Sequence, residues 1–451
     1  MKARKNFLFV VFLVLLLSLL SCKIKTGEIS EKKMRRIGEM IKEFNISDGM
    51  KIIVIENPQS NTVTLNMWVN TGSKNEPEEI SGVSHFLEHM LFKGTKTRQR
   101  GEIDKIIEGI GGLWNGGTAQ DFTQYYLTIP ADKFDTGLDV MADVMMNSVF
   151  DKDELERERL VILEEYRRKQ DDPFGFLYEK VFTATYTSGG YERTVLGEPE
   201  TIKATSQEKM LKYFYSTYIP QNMVFVIVGN VKIDEIKPKI EATFKDFKPS
   251  ATNITRTSIS DNQEFGKSFE IKKQVNDTYF VMVFPGPEVK NPKDVLAMDL
   301  LVSILSEGRS SRLYREIKER KQLVSNISGS YPTLKGKSVF VVFATLKAEK
   351  VLEVKNAVLE EIKKISEGSI SSKEFEKSRK MLKNSFLFGK ETNEGKSNTI
   401  GYYYTLTGST EFEKNYLKHL ENITVKDVAS LASNLTEKNM NVLKILPEEK
   451  K

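Results

Sequence analysis

His85-Phe86-Leu87-Glu88-His89 holds two of the three histidines in this chain, four positions apart, with a glutamate just before the second. On an α-helix, residues i and i+4 share a face, so His85 and His89 can aim both imidazoles at one ion. Glu88 stands on the same side, about 60° around from His85. Two histidines are two-thirds of a tetrahedral site that keeps one position open for water. A carboxylate beside that position can take the proton from a water whose pKa the ion has lowered to about 7, which is the chemistry of amide hydrolysis. The plain alternative is an amphipathic helix whose histidines are polar surface or core filler, because short motifs recur by chance.

A third protein ligand has to come from elsewhere. The helical pattern over residues 152–168 offers Glu154, Glu156, Glu158, Glu164 and Glu165, and periodicity does not choose among them. Glu158 and Glu165, seven apart, fall within about 20° of each other and can face one site. Most of these glutamates read as a solvated face that pairs with Arg157, Arg159, Arg167 and Arg168.

The elements that must carry these groups need two domains, since 451 residues exceed one ordinary core and suit two units of about 200 each. Hydrophobic content of 39% and charged content of 29% describe a soluble globular protein. The net charge of +5, from 67 basic and 62 acidic residues, is well mixed along the chain. No basic stripe with interleaved aromatics marks a nucleic-acid interface. Residues 50–56 and 62–70 read as strands separated by Asn57-Pro58-Gln59-Ser60. The motif helix spans about 82–92, and a second helix over 102–110 stops at Gly111-Gly112. Residues 114–129 alternate in strand fashion, helical patterns cover 133–147 and 152–168, and the apolar segment 223–230 closes a first αβ unit, 45–247.

Residues 248–268 are rich in Ser, Thr and Asn and read as a linker. In 269–451 the order repeats: a strand over 278–284, helices over 292–306, 349–366 and 373–388, and a closing strand over 440–446. Residues 153–159 match 373–379 at an offset of 220. Ser81-Gly82-Val83-Ser84-His85 is loosely matched by Glu307-Gly308-Arg309-Ser310-Ser311. That match sets Ser311, Tyr314 and Arg315 opposite His85, Glu88 and His89, so only the first unit can bind metal in this way.

At the N-terminus Lys2, Arg4 and Lys5 precede an apolar run over 7–20, broken only by Ser18, that ends Leu19-Leu20-Ser21-Cys22. This reads as an export signal over 1–22, similar to a bacterial lipoprotein signal in which Cys22 is lipidated. A simple membrane anchor is the competing reading, although the run is shorter than the ~20 residues that span a bilayer. Cys22 is the sole cysteine, so no intrachain disulfide or thiolate metal site is available. Residues 23–44 are a charged tether with a short helix near 34–41. The expected location is the cell envelope, lipid-anchored through Cys22 and facing the periplasm, with Lys23 rather than Asp after the cysteine favouring the outer membrane.

His-x-x-Glu-His is the inverted zinc motif, and residues 44–447 resemble the pitrilysin and insulysin family in the short form of processing-peptidase subunits. The resemblance is carried by Gly82-Val-Ser-His-Phe-Leu-Glu-His-Met-Leu-Phe-Lys-Gly-Thr95, by Gly111-Gly-Leu-Trp-Asn-Gly-Gly-Thr-Ala-Gln-Asp-Phe-Thr-Gln-Tyr125, and by Glu156 to Glu165 followed by Asp171-Asp172-Pro173. It implies an α+β fold of two homologous αβ units, each a mainly antiparallel sheet with helices on one face, forming half of a clamshell chamber. It implies Zn2+ held by His85, His89 and Glu165, with Glu88 as the base, Glu158 as a supporting carboxylate, and Asn115 and Thr118 beside the substrate. The expected substrate is an unfolded peptide laid as an added strand on a sheet edge, a mode that tolerates many sequences. Manganese or cobalt can replace zinc in such a ligand set.

One departure bears on activity. Members that cleave substrate usually also present an Arg and a Tyr, seven apart, from the second half or from a partner. The matching positions here are Lys318 and Ser325, and a lysine is no fork-shaped donor. The expectation is a zinc metalloendopeptidase in a hetero-oligomer with an Arg/Tyr-bearing paralogous subunit, or in a homodimer. The rival is a non-catalytic binding or assembly subunit of a peptidase-like complex, against which stands the retained base Glu88. A metal-storage lipoprotein is a third reading with a single histidine cluster behind it.

Overall fold

The computed structural model describes residues 41–46, 49–248 and 261–448. The expected signal segment with Cys22, most of the tether and most of the 248–268 linker lie outside them. The first half contributes β1 (Ile41–Ile46), β2 (Met50–Glu56), β3 (Thr62–Val69), β4 (Leu113–Thr118), β5 (Thr123–Pro130), β6 (Tyr186–Ser188) and β7 (Met223–Gly229). The second contributes β8 (Asn262–Gln263), β9 (Ser268–Lys273), β10 (Thr278–Gly286), β11 (Val324–Ser330), β12 (Ser338–Leu346) and β13 (Asn441–Pro447).

The first sheet runs β1-β2-β7-β3-β5-β4 and is antiparallel except where β2 meets β7. The second runs β11-β12-β10-β13-β9 and is antiparallel except where β13 meets β9. With β1 set aside, β2-β7-β3-β5-β4 maps strand for strand onto β9-β13-β10-β12-β11, parallel pair included. The duplication read from the sequence is therefore a duplication of topology. Two local expectations change. Ile41 to Phe44, assigned to the tether, pair with β2 as part of β1. The alternation over 114–129 is a hairpin, β4 turning into β5 where the Ala119 amide donates to the Phe122 carbonyl at 2.9 Å.

The offset of 220 holds in three dimensions: helices Lys152–Asp171 and Ser372–Phe388 begin one residue after the side-chain caps Asp151 and Ser371. The second sequence match does not. The helical turn Tyr314–Arg320 leads into β11 as helix Glu102–Gly109 leads into β4, so Ser311, Tyr314 and Arg315 are not the counterparts of His85, Glu88 and His89. The motif helix, Val83–Met90, corresponds in chain order to Pro292–Ser306, which also lacks histidine. The false match has a physical origin, since Gly82 and Gly308 both take positive φ, 94° and 74°, ahead of a helical turn.

Each half packs its own helices on one face of its sheet, with Leu65, Met67, Phe86, Leu87, Val144 and Phe225 in the first core and Phe280, Leu300, Val342 and Ile362 in the second. The opposite faces are covered by exchange. Helix Asn393–Thr407 of the second half sets Ile400 against Ile53, Trp68, Val226 and Val228 of the first sheet. Helix Pro173–Thr185 of the first half sets Leu177, Val181 and Phe182 against Val281, Val341, Leu443 and Ile445 of the second. This accounts for β7, Met-Val-Phe-Val-Ile-Val-Gly, being buried at every position, as strands covered on both faces are. The exchanged helix lies so close that a Cβ at Gly401 would sit 2.0 Å from Trp68 Nε1. Polar groups key the seam, with Asn66 Nδ2 donating to Ser397 Oγ at 3.1 Å and to Asn398 Oδ1 at 2.8 Å.

Candidate metal centre

Helix Val83–Met90 is buried along almost its whole length, an expensive place for two histidines and a glutamate unless their polar atoms are engaged. Its start is capped from a distance. The Glu76 carboxylate accepts from the Gly82 and Ser84 amides at 2.6 and 2.7 Å, satisfying donors that a helix N-terminus leaves open. Burial pushes Glu76 up to about 7, while those amides and Arg193 pull it back. Ser84 Oγ lies 2.9 Å from Tyr213 OH. With Phe86, Leu87 and Met90 in the core, helical periodicity turns His85, Glu88 and His89 toward helix Lys152–Asp171 and strand β4.

Helix Lys152–Asp171 is started by Asp151, whose side chain accepts from the Asp153 and Glu154 amides at 2.9 and 3.1 Å. It buries Leu155, Glu158 and Ile162, which fixes the stripe carrying Glu158 and Glu165. Glu165 Oε2 lies 3.4 Å from His89 Nε2 and 3.8 Å from His85 Nε2. The three ligand atoms lie within 4.8 Å of one another, and among the described residues this is the group of His, Cys, Asp and Glu side chains that could hold an ion. Ligands 2.0–2.1 Å from a tetrahedral zinc are about 3.3 Å apart; the two Glu165 distances, 3.4 and 3.8 Å, are within about half an ångström of that, and the two imidazoles, within 4.8 Å of each other, draw together when an ion binds. The other glutamates of this helix are committed elsewhere: Glu154 to Arg100 and Arg157, Glu156 to Arg159, and Glu164 to Arg167 and Arg168.

Glu158 accepts from His89 Nδ1 at 3.1 Å and takes Lys93 Nζ on its other oxygen at 2.7 Å. A carboxylate on Nδ1 keeps a proton there, so the lone pair that faces Glu165 and His85 once the ring is neutral is that of Nε2. Burial opposes the charge on Glu158, yet His89 and Lys93 hold it at about 2. Burial also opposes a charged His89, but Glu158, Glu165 and Glu88 outweigh it and push the ring up to about 10. Burial, with His89 and Lys169, holds His85 well below the usual range. A proton and a metal ion therefore compete for His89, as in any site whose ligands must be deprotonated.

Glu88 Oε2 stands 4.0 Å from His85 Nε2 and 3.5 Å from Thr118 Oγ1. Burial, assisted by Glu165 and opposed by His89 and Thr118, pushes its carboxyl up to about 7, where a general base is most effective. Strand β4 lies against it through Gly116, where a Cβ would be 2.9 Å from Glu88 Cγ and 3.2 Å from Oε1. The two candidate substrate residues divide between the faces of β4. Thr118 turns its hydroxyl to Glu88 and the Ser84 carbonyl, whereas Asn115 is exposed and hydrogen-bonds with Tyr126. Strand β4 ends the sheet order, so its outer edge has no strand neighbour among the described residues.

Lys318 and Ser325 flank the start of the matching edge strand β11. Lys318 Nζ lies 5.0 Å from the Tyr314 ring centre, and exposed Ser325 donates to the Thr345 carbonyl at 3.1 Å. Sequence reasoning missed Glu76, Lys93 and Gly116. Lys93 carried a readable signal, since it follows His89 by four positions and continues the stripe of His85 and His89.

The geometry joins an inverted His-x-x-Glu-His cluster that could hold an ion to a fold of two homologous halves. Residues 51–199 match the family Insulinase (Peptidase family M16), and residues 205–382 match the Peptidase M16 inactive domain. The chain thus belongs to peptidase family M16 and carries both of its domains. It is 27% identical over 410 residues to the uncharacterized zinc protease YmxG of Bacillus subtilis (strain 168), covering 90% of this chain and 98% of that one. It is 26% identical over 353 residues to a probable mitochondrial-processing peptidase subunit beta of Arabidopsis thaliana, covering 76% and 66%. Its fold matches the crystal structure of a protease from Helicobacter pylori with a TM-score of 0.85 at 24% identity, over 90% of this chain and 99% of that chain.

Proposed function

We propose that this chain is the zinc-bearing subunit of a metalloendopeptidase that cuts unfolded peptides. The observation that carries this is the convergence of His85 Nε2, His89 Nε2 and a Glu165 oxygen beside a buried carboxylate held near neutral pH, Glu88. His85, His89 and Glu165 would hold the ion, which supplies a Lewis acid that acidifies water and polarises a peptide carbonyl. Glu88 Oε2 takes the proton of the attacking water and delivers it to the departing amine nitrogen as the C–N bond breaks. Glu158 orients His89, and Gly116 and Thr118 keep the Glu88 carboxylate against β4. The free edge of β4 offers main-chain donors and acceptors to an extended peptide, with Asn115 on its exposed face.

A partner chain completes the machine in this reading, because Lys318 and Ser325 stand where an Arg and a Tyr would grip the peptide and stabilise the oxyanion. The relative named as a processing-peptidase subunit supports an oligomeric assembly. The N-terminal sequence supports lipid anchoring through Cys22 at the cell envelope. The test is cleavage of a quenched-fluorescence peptide library by the protein from Lys23 onward, beside Glu88→Gln, with metal measured on both. Glu88→Gln should keep about one zinc per chain and lose cleavage by a factor on the order of 10³ or more. Zinc without cleavage in the unmodified chain, persisting when candidate partner chains are added, would move the assignment to a non-catalytic subunit.

A further inference from the structure

Lys93 is a cation beside the candidate metal centre that the proposed chemistry leaves unused. The chain leaves helix Val83–Met90 through Leu91, the Lys93 amide donates to the Met90 carbonyl at 3.0 Å, and Gly94 reverses direction at a φ of 148°. This brings Lys93 Nζ to 2.7 Å from Glu158 Oε1, while Glu158 Oε2 is 3.1 Å from His89 Nδ1. One carboxylate is held at both oxygens, by a cation on one side and a ligand imidazole on the other. An ordinary surface ion pair is worth little because both partners are solvated and free to move. Here the carboxylate keeps only 11% of its side-chain exposure and lies against His89. A glutamate held by His89 alone retains rotations about its own side chain, and each rotation away releases the imidazole from the orientation that points Nε2 at Glu165.

We propose that Lys93 is a positioning residue for metal capture, locking Glu158 in the arrangement that orients His89 without itself touching the ion. The proposal rests on His85, His89 and Glu165 forming the metal site. Groups that orient a ligating histidine typically contribute 10–100-fold to metal affinity, and Lys93 acts one contact further out. Zinc affinity is measured by chelator competition on the full-length folded protein, with Lys93→Met, Lys93→Gln, Lys93→Arg, Glu158→Gln and the Lys93→Met/Glu158→Gln pair. Lys93→Met and Lys93→Gln should each weaken zinc about tenfold with the metal-free melting temperature unchanged. Lys93→Arg should recover most of that loss. The double variant should bind no more weakly than Glu158→Gln alone, because Lys93 acts only through Glu158. Undiminished affinity in Lys93→Met and Lys93→Gln, or losses that add in the double variant, would overturn the role of Lys93 while leaving the site standing. An unmodified chain that takes up no zinc would instead remove the site, and this proposal with it.

Discussion

Gly116→Ala tests whether the geometry around Glu88 matters to catalysis. The added methyl would meet Glu88 Cγ at 2.9 Å and Oε1 at 3.2 Å, with the Gln124 carbonyl at 3.4 Å. Carbon atoms in contact prefer about 3.5–4.0 Å, so Glu88 or strand β4 must retreat by roughly half an ångström or more. A forced rotamer shift costs on the order of 1 kcal/mol, and displacing a reacting group by about 1 Å can cost about 10²-fold in rate. Gly116→Ala is therefore expected to lower kcat by about 10–100-fold with a modest loss of stability and with zinc retained. The neighbouring glycine is the control: a Cβ at Gly117 meets only the Gln124 side chain, at 3.6 and 3.8 Å, an ordinary contact. Gly117→Ala should cleave like the unmodified chain. Peptide cleavage with zinc content and thermal unfolding on both variants decides it. Equal kcat in Gly116→Ala and Gly117→Ala would refute the assignment of Glu88 to a fixed catalytic position against β4.

Three further outcomes follow from other parts of the molecule. Gly401→Ala gains about 1 kcal/mol of helix propensity, but its methyl would land 2.0 Å from Trp68 Nε1 in the buried seam. Overpacking of this kind costs about 1–3 kcal/mol or more, so thermal unfolding should show a net loss; an unchanged or raised melting temperature would contradict the close packing. Burial, with the nearby charge of Glu307, lifts Asp299 to about 7. As pH rises from about 4 to about 7 the unfolded chain ionises this carboxyl before the folded one does, so stability is lost across that window. Asp299→Asn should remove the loss, giving a larger gain in urea midpoint at about pH 8 than at about pH 5. Lys318→Arg combined with Ser325→Tyr should raise cleavage by the isolated chain about 10²-fold, the scale of one oxyanion donor, without changing zinc content. No gain in that variant would show that these positions do not limit the isolated chain.

Legibility in the sequence followed periodicity. His85, Glu88 and His89 share a helical face by spacing alone, and Glu158 and Glu165 share another, so both halves of the site could be drawn before any contact was known. Choosing Glu165 over Glu154, Glu156 and Glu164 could not come from spacing, because the choice is made by arginines: each rejected glutamate is held by at least one. Lys93 and Glu76 escaped notice because each acts on the site through another residue, Glu158 or the helix amides. The strands were readable as apolar runs, but β1 was hidden because its burial is slight, with exposed Lys42 and Glu43 interrupting it. The false correspondence of Ser311 with His85 arose from a glycine turn common to two different helices.

The exchanged helices were beyond the sequence for a different reason, and they bear on what the half without the metal cluster does for the other. Apolar residues along β7 announce that both faces are covered, yet nothing in the strand states which half supplies the cover. The cover comes from helix Asn393–Thr407, so the sheet that ends in β4 has its second face in the keeping of the half that lacks the metal cluster. The second half also reaches the loop ahead of the metal helix: the Lys335 amide donates to Asp121 at 3.0 Å, and the Ala119 and Gln120 carbonyls accept from Ser73 and Lys74 at 3.1 and 3.0 Å, in the loop that continues to Glu76. Glu76 in turn holds the amides that begin the metal helix. Removing the second half would expose one face of the first sheet and loosen the loop that carries Glu76. The second unit thus supports the first through this buried face and these hydrogen bonds, independently of any hold on substrate.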